Sequence, residues 1–204
     1  FHAWAAIVEY HGAIAWSLSW GEFMKIPFVL FVLCAIIVGG CSTFTTPRYG
    51  ISADNNIVLK SLGVTSVGVG TFSGPATIEN SCRGLGPVTP PDSMTFAGYF
   101  KKALEDELKI AGIFSAQEPR VILSGVLTKL EFSSYRGMTG GSWDIELTIS
   151  SSNGRSMKAV ERYEFDRAIA NDTACKQVAE AFYPAVQNLI GNIVRSPEFP
   201  MLVR

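Results

Sequence analysis

Few side chains in this sequence are placed where they could do chemistry. Both histidines, His2 and His11, lie in the first 11 residues. The rest of the chain therefore has no imidazole base, no Ser-His-Asp or Cys-His pair and no histidine metal ligand. Four carboxylates have the residue types of a glycosidase pair: Asp144, Glu146, Glu161 and Glu164. They alternate with apolar residues, which favours a solvated sheet face. We expect a protein that is not an enzyme and that uses no metal and no cofactor.

Cys41 follows an apolar segment, Ile26–Val38, and two glycines. A membrane-spanning helix needs about 20 residues, whereas the apolar core of a signal peptide takes roughly 7–15 and has a positive charge such as Lys25 before it. The stretch Val38-Gly39-Gly40-Cys41 resembles the lipobox of bacterial lipoproteins. This resemblance implies that the Cys41 thiol is joined to diacylglycerol and that Cys41 becomes the N-terminus after cleavage. The alternative is a signal peptide with an incidental cysteine.

The lipobox divides the N-terminal part of the chain. Residues 24–40 are expected to be a lipoprotein signal peptide, and residues 41–56 a lipidated N-terminus with a polar tether. Residues 1–23 are interpreted as an upstream in-frame extension, because the codons for Trp20-Gly21-Glu22-Phe23 permit a ribosome-binding site just before Met24. The alternative is a real N-terminal amphipathic segment.

The anchor predicts a place in the cell. By analogy with enteric sorting rules, an aspartate after the lipidated cysteine favours the inner membrane, and here Ser42 follows. We expect a lipoprotein of the bacterial outer membrane that faces the periplasm and contacts the membrane through Cys41.

The charge balance bears on possible partners. Without residues 1–40, the chain loses Lys25 from its 17 basic residues and Glu9 and Glu22 from its 18 acidic residues, and is neutral. A neutral chain has no basic surplus to neutralise phosphates, so we expect no nucleic-acid partner.

Cys82 and Cys175 are the cysteines that remain beside Cys41. Their spacing suits neither a CxxC metal site nor a thioredoxin-type redox pair. In an exported chain a disulfide is the expected state, and two buried free cysteines are the alternative.

Hydrophobic periodicity predicts the elements of one α+β domain over residues 57–204. Residues 73–92 are expected to form a long irregular loop, and Asn153-Gly154 a type I′ hairpin turn. The predicted strands are Val58–Leu59, Val64–Phe72, Val121–Phe132, Trp143–Ile149 and Met157–Phe165, and the predicted helices are 95–111 and 172–195. Pro184 is expected to kink or divide the second helix. The fold predicted is an antiparallel sheet of four to five strands with two helices packed on one face.

The order of these elements resembles that of small uncharacterised bacterial lipoproteins, and more loosely the YajG-type lipoproteins. The resemblance is carried by the lipobox, a helix that ends in Ala111-Gly112, the Asn153-Gly154 hairpin and a last helix before Ser196-Pro-Glu-Phe199. It covers about residues 58–200, except the long loop with Cys82. Because such families have no established activity, it implies an architecture and no catalytic residues.

A binding role remains the leading hypothesis. We expect a non-enzymatic envelope lipoprotein that binds another envelope protein as a scaffold or assembly accessory. The candidate binding residues are Arg83, Tyr135, Arg136 and Trp143, since Tyr, Trp and Arg are favoured interface anchors. Their alternative is an ordinary flexible hairpin with a core tryptophan. The alternative function is a lipid- or glycan-binding carrier that resembles transporter auxiliary lipoproteins, with an apolar groove near Pro184.

Overall fold

The computed structural model describes residues 42–75 and 78–204. The predictions for residues 1–23, for the signal peptide 24–40 and for Cys41 lie outside the described residues.

The centre of the fold is a four-stranded sheet in the order β2-β5-β6-β7. Its strands are Val67–Ser73 (β2), Val121–Arg136 (β5), Gly140–Ser151 (β6) and Ser156–Asp166 (β7). Strands β5, β6 and β7 pair in antiparallel fashion, as predicted, but β2 runs parallel to β5. A parallel pair needs a long crossover connection, and the chain supplies one between these strands, including a helix. The α+β prediction is confirmed, and the prediction of a wholly antiparallel sheet is wrong.

Two long helices lie on the same face of this sheet: Phe96–Ala111 (α2) and Asn171–Arg195 (α3). The side chain of Thr95 caps the start of α2 by accepting from the Gly98 N–H at 3.0 Å. Gly112 ends α2 in the left-handed conformation, with φ of 77°, which suits glycine. Helix α3 is continuous through Pro184, so this proline does not divide it. The apolar stripe of α3 is buried as predicted: Val178, Phe182, Val186, Leu189 and Ile193.

Residues 42–56 are part of the folded domain, so the prediction that they form a polar tether is wrong. Phe44–Thr45 forms a strand (β1) and Ala53–Ser61 a helix (α1). The residues predicted as strand Val58–Leu59 lie within α1. Side chains fix this segment to the helices, since Asn55 Nδ2 donates to the Gln187 carbonyl at 3.1 Å and Gln187 Nε2 donates to the Gly50 carbonyl at 2.7 Å. The folded domain therefore extends almost to Cys41.

The predicted irregular loop 73–92 contains two short strands, Ser81–Cys82 (β3) and Gly86–Thr89 (β4). They form a second sheet with β1, in the order β1-β4-β3. Cys82 and Cys175 are joined by a disulfide, which confirms the predicted pairing. The bond attaches this small sheet to the first turn of α3, and both cysteines are completely buried.

The hairpin between β6 and β7 turns at Asn153-Gly154 as predicted, but with a different turn type. Gly154 N donates to the Ser151 carbonyl at 3.0 Å, and Gly154 is the residue of this turn with positive φ, 85°. A type I′ turn would need positive φ at both central residues, whereas a type I turn followed by a left-handed glycine forms a G1 bulge. A short helix, Phe199–Leu202 (α4), ends the chain beside this hairpin, where Asn153 Nδ2 donates to the Met201 carbonyl at 2.9 Å.

Candidate interaction surfaces

Arg83 lies in a tight turn between β3 and β4. Leu85 N donates to the Cys82 carbonyl at 3.0 Å, and Arg83 and Gly84 have φ of 54° and 70°. The guanidinium of Arg83 donates to both the hydroxyl and the carbonyl oxygen of Ser134, at 3.1 and 2.6 Å. It also donates to the Ile169 carbonyl at 3.2 Å and to Asn171 Oδ1 at 2.6 Å. Arg83 thus fastens the β3–β4 turn to the end of β5 and to the start of α3.

Tyr135 stands beside this arginine at the end of β5. The Arg83 guanidinium carbon lies 4.4 Å from the centre of the Tyr135 ring, and the Arg167 guanidinium carbon lies 6.0 Å from it. The first distance is within the range of a cation–π contact. The side chain nevertheless remains 67% exposed. An aromatic ring that is held in place and still exposed suits recognition better than it suits core packing.

Other exposed apolar side chains share this end of the molecule. Met138, at the turn between β5 and β6, is 82% exposed; Ile169, before α3, is 71% exposed; and Leu85 is 40% exposed. The turn is tied to the segment before α3, because Arg167 N donates to the Thr139 carbonyl at 2.6 Å and Arg167 Nε to the Gly140 carbonyl at 3.2 Å. We call Leu85, Tyr135, Met138 and Ile169 the tip surface.

Trp143 is not a binding residue, and this prediction is wrong. Its side chain is 1% exposed, and its indole N–H donates to the Val178 carbonyl at 2.9 Å. Its ring packs against Phe182 and Phe132, at centroid distances of 4.8 and 5.0 Å. Trp143 therefore fills the core between sheet and helix. The backbone of Arg136 pairs with Gly140 in the sheet, and its side chain lies outside the described residues.

The face of the four-stranded sheet away from α2 and α3 is uncovered in the described part of the chain. It mixes apolar and charged side chains. Ile122, Val126 and Val160 are 41%, 49% and 54% exposed. We call this surface the open face and define it by Ile122, Val126, Lys129, Glu131, Asp144, Glu146, Thr148, Lys158, Val160, Arg162 and Glu164.

Ion pairs cross the strands of the open face. Lys158 Nζ lies 2.6 Å from Glu146 Oε2. Hydrogen bonding from Lys158, helped by the positive charges of Lys158 and Lys129, lowers the pKa of Glu146 below its ordinary value. Arg162 contacts Asp144 at 3.2 Å and Glu164 at 3.3 Å. With three basic and four acidic side chains, the open face has a net charge close to zero.

The four carboxylates considered as a glycosidase pair do not share one face. Glu161 lies on the helix side of β7, where it accepts from Asn188 Nδ2 at 3.3 Å and from Asn192 Nδ2 at 2.7 Å. Asp144, Glu146 and Glu164 lie on the open face. Each of the four is thus held by a basic or amide side chain.

The sequence patterns did not single out Glu107, which is a buried polar residue. Glu107 is completely buried on α2, and its Oε1 accepts from the Tyr49 hydroxyl at 2.7 Å and from Ser52 N at 2.8 Å. Burial and this hydrogen bond raise the pKa of Tyr49. Glu107 Oε2 has no hydrogen-bond partner among the described residues. The signal was available, because Glu107 follows Ala103 and Leu104 by four and three residues on the apolar stripe of the helix.

Two further observations concern the described residues alone. No helix within 42–75 and 78–204 is long and apolar enough to cross a membrane. In the same residues, no group of three or more His, Cys, Asp or Glu side chains is placed to hold a metal ion.

Comparison with known proteins does not indicate a function for this chain. No family model matches the chain, and no curated protein matches it. Among the similar solved structures is protein XCC0632 from Xanthomonas campestris, which is described as a DUF330 protein. The two chains are 9% identical, the TM-score is 0.45, and the match covers 75% of this chain and 96% of that one. A match this weak supports no functional inference.

Proposed function

We propose that this protein is a non-enzymatic, lipid-anchored module of the bacterial envelope that binds another envelope protein through its open face. The observation that carries the proposal is the side of the sheet that no other element of the described chain covers, where exposed Ile122, Val126 and Val160 lie among paired charges. One face of an antiparallel sheet is commonly solvated, but its exposed side chains are then mostly polar. Three of the eleven side chains that define the open face are apolar, and these three are 41–54% exposed.

The charges of the open face favour a protein over other partners. Lys129, Lys158 and Arg162 are opposed by Glu131, Asp144, Glu146 and Glu164. A surface without a positive excess does not attract phosphate-rich ligands. At a protein interface, apolar area supplies affinity, and charges of both signs specify the partner and its orientation.

The anchor remains part of the proposal. Lipidation at Cys41 would attach the domain closely to the membrane, because the first strand begins at Phe44, three positions after Cys41 in the sequence. We propose the outer membrane, with the domain facing the periplasm, because Ser42 and not an aspartate follows Cys41. Such a module would be held near the membrane with its open face available to soluble or membrane proteins.

The alternative of a lipid carrier receives no support from the packing beside Pro184. Phe182, Ala185 and Val186 are completely buried, and Tyr183 and Pro184 are half-buried. The Phe182 ring lies 5.2 Å from that of Phe96 and 4.8 Å from that of Trp143. At this place, side chains occupy the space that a carrier would need for a ligand.

Photo-crosslinking in cells tests the proposed partner. A photoreactive amino acid is placed at Val126 or Val160 in the full chain, and at Ile110 of α2, which is 58% exposed, as the matched control. We expect a discrete protein adduct from Val126 and Val160 that is absent from Ile110. Val126→Asp should abolish the adduct formed from Val160. Equal adducts at all three positions, or none from the open face, would refute the proposal.

A further inference from the structure

We propose that the tip surface rests on the phospholipid bilayer next to the lipidated Cys41 and so fixes the orientation of the domain on the membrane. This inference rests on the anchor in the proposed function. It assigns a lipid surface to Tyr135 and to the arginine that holds it.

Ser42, the residue after Cys41 in the sequence, lies at the same end of the folded domain as the tip surface. The backbone of Ser42 lies directly against Gly86, since a Cβ at Gly86 would be 1.6 Å from the Ser42 carbonyl oxygen. Gly86 follows Leu85 of the tip surface. Residues 42–45 and the first turns of α3, including Asp172 and Lys176, line one shallow depression of about 370 Å³. Asn171, at the start of α3, accepts from Arg83.

This placement brings the tip surface to the membrane once Cys41 is acylated. Ser42 is the next residue after the anchor, and its backbone is packed rather than free, so the acyl chains hold the adjoining surface of the domain near the lipid headgroups. Leu85 and the Arg83 turn belong to that adjoining surface. A protein partner at the tip would have to fit between the domain and the membrane, whereas a bilayer is already there.

The side chains of the tip surface suit the interfacial region of a bilayer. Tyrosine is enriched at the membrane–water boundary, where its ring contacts acyl chains and its hydroxyl stays hydrated. Met138 and Ile169 add apolar area that is 82% and 71% exposed. Arginine can keep its charge among headgroups while its stem lies along apolar surface. Of the acidic side chains at this end, Asp172 is paired with Lys176 at 2.6 Å, which reduces its repulsion by anionic lipid.

The tip surface is already ordered before it meets a membrane. The Cys82–Cys175 disulfide and the hydrogen bonds of Arg83 hold the β3–β4 turn. The bonds of Arg167 to the Thr139 and Gly140 carbonyls hold the β5–β6 turn. Little conformational entropy is therefore lost on contact, so that the exposed apolar area contributes to binding.

Site-directed spin labelling of the full chain tests this inference. The protein is purified from its membranes and reconstituted in vesicles of phosphatidylethanolamine and phosphatidylglycerol. A nitroxide is attached at Met138→Cys, and at Ile110→Cys and Thr148→Cys as controls on α2 and on the open face. Collisions with oxygen report lipid, and collisions with a water-soluble nickel complex report solvent. We expect the ratio of oxygen to nickel collisions to be severalfold higher at position 138 than at either control.

A second pair of variants tests the cause of the contact. Tyr135→Asp with Ile169→Asp should reduce the ratio at position 138 to that of the controls. The matched substitutions Val126→Asp with Val160→Asp, on the open face, should leave it unchanged. If the open-face pair lowers the ratio as much as the tip pair, the tip surface is not the contact and the inference is overturned.

The intact mass of the same sample separates the two proposals. If the chain is acylated and the ratio of oxygen to nickel collisions at position 138 equals that of the controls, the inference is overturned and the proposed anchor is unaffected. An unacylated chain that still shows lipid contact at 138 supports the tip surface and removes the anchor. An unacylated chain that does not bind the vesicles overturns both. A protein crosslinked at position 138 in cells would instead assign the tip to a protein partner and also overturn the inference.

Discussion

Removal of the Cys82–Cys175 disulfide is expected to destabilise the domain strongly. The two cysteines are separated by 93 positions in the sequence. In the chain-entropy model, a loop of this length constrains the unfolded chain by about 4.7 kcal/mol at 25 °C. A typical domain is stable by only about 5–15 kcal/mol, so this single bond is a large share of the total.

The prediction can be measured by urea unfolding of the full chain and of the Cys82→Ala, Cys175→Ala double variant. With an m-value of about 2 kcal/mol per M, the midpoint should fall by about 2 M. Reductant should lower the midpoint of the natural chain to nearly that of the variant and should not change the variant. A loss of less than about 1 kcal/mol would contradict the reasoning, because the rest of the fold would then constrain residues 82–175 without the bond.

Four further outcomes are expected. Trp143→Ala should cost about 3–5 kcal/mol in urea unfolding, because it removes a buried ring and leaves a cavity, and a cost near zero would contradict its place in the core. Glu107→Ala should lower the free energy of unfolding by about 1–3 kcal/mol, because it leaves the Tyr49 hydroxyl and a backbone N–H unpaired. Glu107→Gln should keep both bonds through its amide oxygen and lower it by less. Equal losses would contradict the assigned hydrogen bonds. The pKa of Glu146 is lowered in the folded state, so its contribution to stability is present above its ordinary pKa of 4.5 and is lost as pH falls through the lowered value. In Lys158→Met, NMR titration should find the pKa of Glu146 closer to 4.5. An unchanged pKa would refute Lys158 as the cause of the shift. Gly86→Ala should displace the Ser42 backbone and reduce the melting temperature. Gly84→Ala should reduce the melting temperature by less, because the open space would accept a Cβ and the cost is the strain of its positive φ.

Local patterns in the sequence were sufficient for the main elements. The apolar stripe from Phe96 to Ala111 and the stripe from Val178 to Ile193 predicted α2 and α3, because burial against a sheet imposes helical spacing. Asn153-Gly154 located the β6–β7 hairpin. The alternation of Trp143 with Ile145 also placed this tryptophan on the buried side of β6, so the pattern already favoured the core over a binding role.

Other features depend on contacts between distant parts of the chain, which local patterns do not contain. Asn55 and Asn56 are polar and were therefore expected to be solvated, but both are buried, with their side-chain amides bonded to backbone carbonyls of α3 and α2. The parallel pairing of β2 with β5 likewise depends on the path of the crossover through α2. The contact of Tyr135 with Arg83 depends on the disulfide-linked turn that holds Arg83. The sequence around either residue does not predict this contact.

The intact mass of the protein extracted from its native membranes tests the lipid anchor, on which the proposed function depends, most directly. We predict a chain from Cys41 to Arg204 that carries acyl groups and gains the mass of two hydrogens on reduction of Cys82–Cys175. An unacylated chain that retains residues before Met24 would contradict the account and would return His2 and His11 to the inventory of catalytic side chains.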